Sequence, residues 1–158
     1  MISARTRSAE GTRAVGAAIA ELLVPGDVVL LVGGLGAGKT TLVQGIAQGL
    51  GFTGEVTSPT FTLRQTYAGR LDVVHADLWR LDRVGDILDL ALEEDLDSGA
   101  VVVAEWGEAA EPLLGDRALE VHLDGSDEEY DRQMTIEPHG PWIERTAALE
   151  AAIVQATV

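Results

Sequence analysis

Cysteine is absent from this chain, so no disulfide and no thiolate metal site can contribute to it, a composition that suits a cytoplasmic protein. Positive charge is scarce: 11 lysines and arginines stand against 26 aspartates and glutamates, a formal net charge of −15. A broad direct grip on nucleic acid needs a basic surface that displaces counterions from phosphates, and this balance speaks against one. Long apolar runs are missing too. The longest, Val28–Val32 and Ala100–Ala104, fall far short of the ~20 residues that span a bilayer. Arg5, Arg7 and Arg13 near the start are followed by no apolar segment of a secretory signal. No membrane association is expected. Lysine is the scarcest charge of all, with Lys39 the single example among ten arginines. An ammonium is a compact point charge with freely aimed donors, suited to the clustered oxygens of adjacent phosphates.

What is present reads as one α/β domain over residues 1–158. Ser8–Leu23 carries Val15, Ile19, Leu22 and Leu23 at helical spacing, with Ser8 placed to cap the start. Asp27–Val32 is a continuous apolar run bounded by turns, the signature of a strand buried on both faces. Thr40–Leu50 returns to helical period, and Gly51 closes it. Phe61–Tyr67 and Leu71–His75 read as strands joined by a hairpin at Ala68, Gly69 and Arg70. Val84–Leu92 reads as a short amphipathic helix running into the acidic stretch 93–97. Ala100–Ala104 is a second buried strand, ending at Glu105 and Trp106; Ala118–Leu123 and Gln133–Glu137 alternate like late strands. Pro141 opens a C-terminal helix over 141–158. The pattern predicts a mixed central sheet flanked by helices.

Between the first buried strand and its helix lies Gly33-Gly34-Leu35-Gly36-Ala37-Gly38-Lys39-Thr40-Thr41, which meets the GxxxxGK[ST] pattern of a phosphate-binding loop in its required strand–loop–helix context. Glycines let the backbone turn its N–H groups inward onto phosphate oxygens, and the following helix adds its positive N-terminal end. Lys39 is expected to reach the β- and γ-phosphates of ATP and Thr40 to place its hydroxyl on Mg²⁺. Such a site also needs a carboxylate from another strand. Two acids follow apolar runs: Glu105 after Val101–Ala104, and Asp77 after Val73–Ala76. His75 reads as a strand residue, since His122 and His139 give no metal-type spacing with it.

Several separated motifs agree with one family. Gly36–Thr41, Ser58-Pro59-Thr60-Phe61-Thr62-Leu63, His75-Ala76-Asp77-Leu78-Trp79-Arg80-Leu81 and Val103-Ala104-Glu105-Trp106 resemble, in order and spacing, the bacterial tRNA threonylcarbamoyladenosine biosynthesis ATPases, the TsaE family. The resemblance extends to about Glu137. It implies a Mg²⁺-dependent ATPase that acts with two partner proteins. Those partners place a threonylcarbamoyl group on the adenosine beside the anticodon of tRNAs reading A-starting codons, so tRNA is contacted only indirectly. By the same resemblance Thr40 and Glu105 hold the metal, directly or through water, and Asp77 orients or deprotonates the attacking water or stands behind the metal's ligands. Thr60 lies in a switch segment, and Thr12, Trp106 and Arg132 lie near the nucleotide. Within a regular strand Trp106 would point away from Glu105, which leaves it a place on the nucleotide side, on a partner-facing side or packed against the core. Gly34, Trp79 and Gly107 depart from the family's usual Asp or Asn, Tyr and Pro.

Two other readings of the loop remain open. A P-loop kinase for a small metabolite or nucleoside needs an arginine-rich lid; Arg80 and Arg83 lie near Asp77, but no such segment is visible. A nucleotide-gated binding module would bind ATP with negligible turnover.

Overall fold

The computed structural model describes residues 1–34, 36–59, 63–79, 90–125, 129 and 131–157. Among them, strands β1 (Ile2–Thr6), β2 (Val28–Val32), β3 (Arg64–Tyr67), β4 (Val73–Asp77), β5 (Val101–Glu105), β6 (Ala118–Gly125) and β7 (Arg132–Pro138) form one sheet in the order β1-β7-β6-β2-β5-β4-β3. β2 runs parallel to both β5 and β6, and β4 runs parallel to β5. Antiparallel pairs close the two edges. The architecture is the expected mixed α/β sheet flanked by helices. Parallel strands need cover on both faces, which is why β2, β4 and β5 are buried along nearly their whole length and polar only at His75, Asp77 and Glu105.

One face is covered by α1 (Ala9–Leu22), α2 (Lys39–Gly49) and a C-terminal helix, whose apolar residues join Val29, Leu31, Val103 and Val121 in the larger core. The other face carries Val28, Leu30, Val74 and Val102, packed with Leu92 and Leu96 of α3 (Leu92–Asp97) and with Leu114 of α4 (Glu111–Leu114). Ser8 caps α1 through Gly11 N–H at 2.9 Å, as its position predicts. α1 and α2 cross with backbones almost touching. A Cβ on Gly16 would lie 2.4 Å from the Leu42 carbonyl, and one on Gly45 only 2.1 Å from that of Arg13. This close crossing holds α2 against α1 over one face of the sheet.

Several boundaries differ from the pattern. β1 escaped prediction, yet its burial alternates strictly, with Ile2, Ala4 and Thr6 inside. The acidic stretch after Ala91 is itself helical, because Leu92 and Leu96 bury one side of it against the sheet. The helix expected over 84–92 lies outside the described residues through 89. The second hairpin strand begins at Val73 rather than Leu71 and continues to Asp77, paired with β5. The C-terminal helix α5 spans Thr146–Ala156; Pro141 instead opens a 3₁₀ segment, Gly140–Arg145. Arg145 there forms a two-pronged ion pair with buried Asp27, at 2.6 and 2.9 Å, and lies over the Trp142 ring. That pair pins the C-terminal segment beneath β2. No helix among the described residues is long and apolar enough to cross a membrane.

Candidate functional site

The C-terminal ends of β2, β4 and β5 open into a cleft of about 460 Å³. Gly38 takes φ +99°, a conformation open to glycine at little cost, and turns the chain from the loop into α2. No side chain caps that helix, so its first turn faces the cleft with the donors and partial positive charge that favour an anion. Ala37, Gly38, Lys39, Thr40 and Thr41 line it together with Gly36.

Lys39 is folded back on its own loop. Its ammonium donates to the carbonyl of Gly33 and, at 3.1 Å, to that of Gly34, and sits 3.7 Å from the centre of the Trp106 ring. Burial holds its pKa below the usual lysine value, partly offset by the charges of Glu105, Glu108 and Asp77. Burial also raises the Glu108 carboxyl, against the opposing pull of Lys39.

The parallel register of β4 and β5 sets Asp77 directly beside Glu105. Both are buried, at 5% and 4% exposure, so each carboxylate must find partners. Glu105 accepts from the Thr40 hydroxyl at 3.2 and 3.3 Å and from His75 Nε2 at 2.5 Å. Asp77 accepts from the backbone N–H of Trp79 at 3.0 Å and from Ser58 at 3.4 Å. Thr40 and Glu105, expected as a pair from two different elements, are thus in contact. A hydroxyl and carboxylates are the hard oxygen donors that suit Mg²⁺, so this cluster fits such an ion.

Sequence reasoning missed His75 as part of the site. It is fully buried, and its Nδ1 lies 3.0 Å from the Tyr67 hydroxyl while Nε2 meets Glu105. With Glu105 ionised, Nε2 carries the proton. The available signal was the strand period: residues 75 and 77 share one face of β4. Trp106 corrects the expectation drawn from that same period. It has φ +58° and leaves the strand, so its ring turns into the cleft that Glu105 also lines. There it stacks with Trp79 at 6.2 Å between centroids.

Arg132, at the start of β7, reaches the loop and donates to the Gly36 carbonyl at 2.9 Å. Its Nε is buried without a hydrogen-bond partner, and a Cβ on Gly38 would stand 3.3 Å from it. That orphaned donor beside the loop is a second feature that fits an anionic ligand. Thr12 lines the cleft from α1, its hydroxyl 2.7 Å from that of Thr6. Gly33 and Gly34 contribute the carbonyls that hold Lys39. Leu35, Thr60, Arg80 and Arg83 lie outside the described residues.

Known proteins share this sequence and shape. The family described as threonylcarbamoyl adenosine biosynthesis protein TsaE matches residues 6–134. A tRNA threonylcarbamoyladenosine biosynthesis protein TsaE from Treponema pallidum is 42% identical over 118 residues, covering 75% of this chain and 87% of that protein. Its counterpart from Bacillus subtilis is 40% identical over 118 residues, covering 74% and 73% of the two chains. The crystal structure of Bacillus subtilis YdiB superposes with a TM-score of 0.78 at 31% identity, covering 98% of this chain and 94% of that one. With its strand–loop–helix core, its paired Asp77 and Glu105 and this agreement along most of its length, the chain belongs to the TsaE family.

Proposed function

We propose that this chain binds ATP with Mg²⁺ and hydrolyses it as a component of tRNA threonylcarbamoyladenosine biosynthesis, the cycle supporting turnover of a partner transferase. The observation that carries the reading is the convergence of Lys39, the Thr40–Glu105 contact and Asp77 in one cleft. Membership of the family supplies the biosynthetic setting. The net charge of −15 fits a chain that leaves tRNA to its partners.

The chemistry follows from the residues. Lys39 exchanges the carbonyls of Gly33 and Gly34 for β- and γ-phosphate oxygens, stronger acceptors for an ammonium. Arg132 and the first turn of α2 add donors at the phosphate side of the cleft. Thr40 and Glu105 would hold magnesium, which when bound there offsets phosphate charge. Asp77, held by the Trp79 N–H and Ser58, orients a water and takes its proton as the water oxygen bonds to the γ-phosphorus. The bond from that phosphorus to the bridging oxygen breaks, leaving ADP and inorganic phosphate. His75 keeps the Glu105 carboxylate aimed at Thr40.

Phosphate release from ATP without any acceptor tests the reading. Lys39→Ala is expected to abolish ATP binding, because it removes a charge used in the ground state. Glu105→Gln and Asp77→Asn are expected to keep part of the binding and lose turnover, because they act on the transition state. Wild-type turnover in both acid variants would overturn the assignment. A phosphorylated small-molecule product, formed only with an acceptor, would establish the kinase reading instead. Association with the transferase partners is expected to depend on ATP, and indifference to nucleotide would break the coupling.

A further inference from the structure

A second cluster of ligating groups lies on β6 and β7, and none of its members lines the nucleotide cleft. Leu119, Val121 and Leu123 of β6 face the larger core, so Glu120 and His122 project from the opposite face of the sheet. The antiparallel register places Glu137 directly opposite Glu120. Two like charges in that position destabilise a strand pair unless a cation lies between them. Glu120 is also 7% exposed, so water compensates its carboxylate little.

His139 lies two residues beyond Glu137, anchored by its backbone N–H to the Ala118 carbonyl at 3.1 Å. Its Nε2 stands 3.9 Å from Glu120 Oε1 and 3.9 Å from Glu137 Oε2. Those separations are too long for hydrogen bonds, and the nitrogen is a buried atom with no hydrogen-bond partner. One ligand atom from each of Glu120, Glu137 and His139 falls within 4.8 Å of the others. Bonds of about 2.0–2.2 Å from carboxylate oxygen and imidazole nitrogen to zinc would draw three such atoms together by a small adjustment of side chains. His122 Nε2, 3.3 Å from Glu120 Oε2, takes up the other oxygen and steers Oε1 toward His139. The side chains of Glu137 and His139 are 32% and 39% exposed, which leaves the ion a way in.

We propose that Glu120, Glu137 and His139 form a binding site for a divalent transition metal of the zinc class, with His122 orienting Glu120. The imidazole selects zinc over magnesium or calcium, which prefer oxygen alone. Three protein ligands leave a fourth position for water. The site joins β6, β7 and the start of the 3₁₀ segment Gly140–Arg145, so metal occupancy ties the C-terminal segment to the sheet.

Calorimetric titration of the purified full-length chain with Zn²⁺ in excess Mg²⁺, paired with thermal melts, tests the site. One equivalent of Zn²⁺ is expected to bind and raise the Tm. His139→Ala and Glu137→Gln, each checked for native circular dichroism, are expected to abolish both effects. His122→Gln should weaken binding by about 10–100-fold, the usual loss when a ligand's orienting partner is removed. Glu105→Gln should leave the Zn²⁺ equivalent in place. Absence of Zn²⁺ binding in the wild type, or binding that survives His139→Ala and Glu137→Gln but is lost in Glu105→Gln, would overturn the proposal.

Discussion

Replacing His75 by leucine removes the imidazole that lies between Tyr67 and Glu105. Tyr67 loses little, since its hydroxyl retains the Thr57 carbonyl at 3.2 Å and Gln65 at 3.0 Å. Glu105 loses more. Its carboxylate is 4% exposed and is left with the single Thr40 hydroxyl, shared between both oxygens. Removing the hydrogen-bond donor from a buried carboxylate costs roughly 1.5–3 kcal/mol, and the burial of Glu105 places this variant near the upper figure, about 3 kcal/mol. At about 2–4 °C per kcal/mol for a chain of this size, the Tm should fall by about 6–12 °C. The assay is urea and thermal unfolding of wild type, His75→Leu, Glu105→Gln and the double variant. Glutamine carries no charge to strand, so adding Glu105→Gln to His75→Leu should recover part of the loss. The cycle should give a coupling of about 1–3 kcal/mol. A Tm change under about 2 °C for His75→Leu, or costs that simply add, would show that His75 does not hold Glu105.

Nucleotide affinity and stability should respond to alkaline pH with opposite signs, because burial depresses the Lys39 pKa below its ordinary 10.5. As pH rises through the depressed value the ammonium is lost and ATP binding weakens. Over the same window the unfolded chain binds more protons at this residue, so the Lys39 contribution to stability rises with pH. ATP titrations and melts of wild type against Lys39→Met should show both slopes, and a variant with the same stability slope would refute the assignment. Gly45→Ala would set a methyl 2.1 Å from the Arg13 carbonyl; overpacking of about 3 kcal/mol should outweigh the ~1 kcal/mol gained in helix propensity, read as a lower urea midpoint. An unchanged midpoint would mean that α1 and α2 can part freely. Arg132→Ala removes the donor to Gly36 and the orphaned Nε, and should weaken ATP binding by about tenfold, the equivalent of one charge-assisted hydrogen bond. Fluorescence of Trp106 and Trp79, stacked beside Lys39, can report that titration.

The phosphate loop was legible in the sequence because it is local. A buried strand, a glycine turn and a helix start follow one another within Val28–Thr40, and no distant contact is needed to recognise them. The family motifs around Ser58, Asp77 and Glu105 were legible as order and spacing. Burial of the central strands could likewise be read from unbroken apolar runs. Strand β1 could not be singled out, since five alternating residues at a terminus specify a strand only once β7 lies beside them. Which acids meet which partners belongs to tertiary structure. Thr40 and Glu105 are 65 residues apart, and only the β2–β5 and β4–β5 registers place that hydroxyl, Glu105 and Asp77 at one height. The same register delivers His75 to Glu105, a bond that composition and spacing leave invisible. Trp106 shows the limit most plainly: strand periodicity turns it away, whereas a single left-handed residue turns it onto Lys39. Arg132 reaches Gly36 because β7 closes antiparallel on β6, which brings the start of β7 beside the phosphate loop. The residue types and the loop are properties of the chain itself. The long-range strand pairing decides their distances, and those distances set the chemistry.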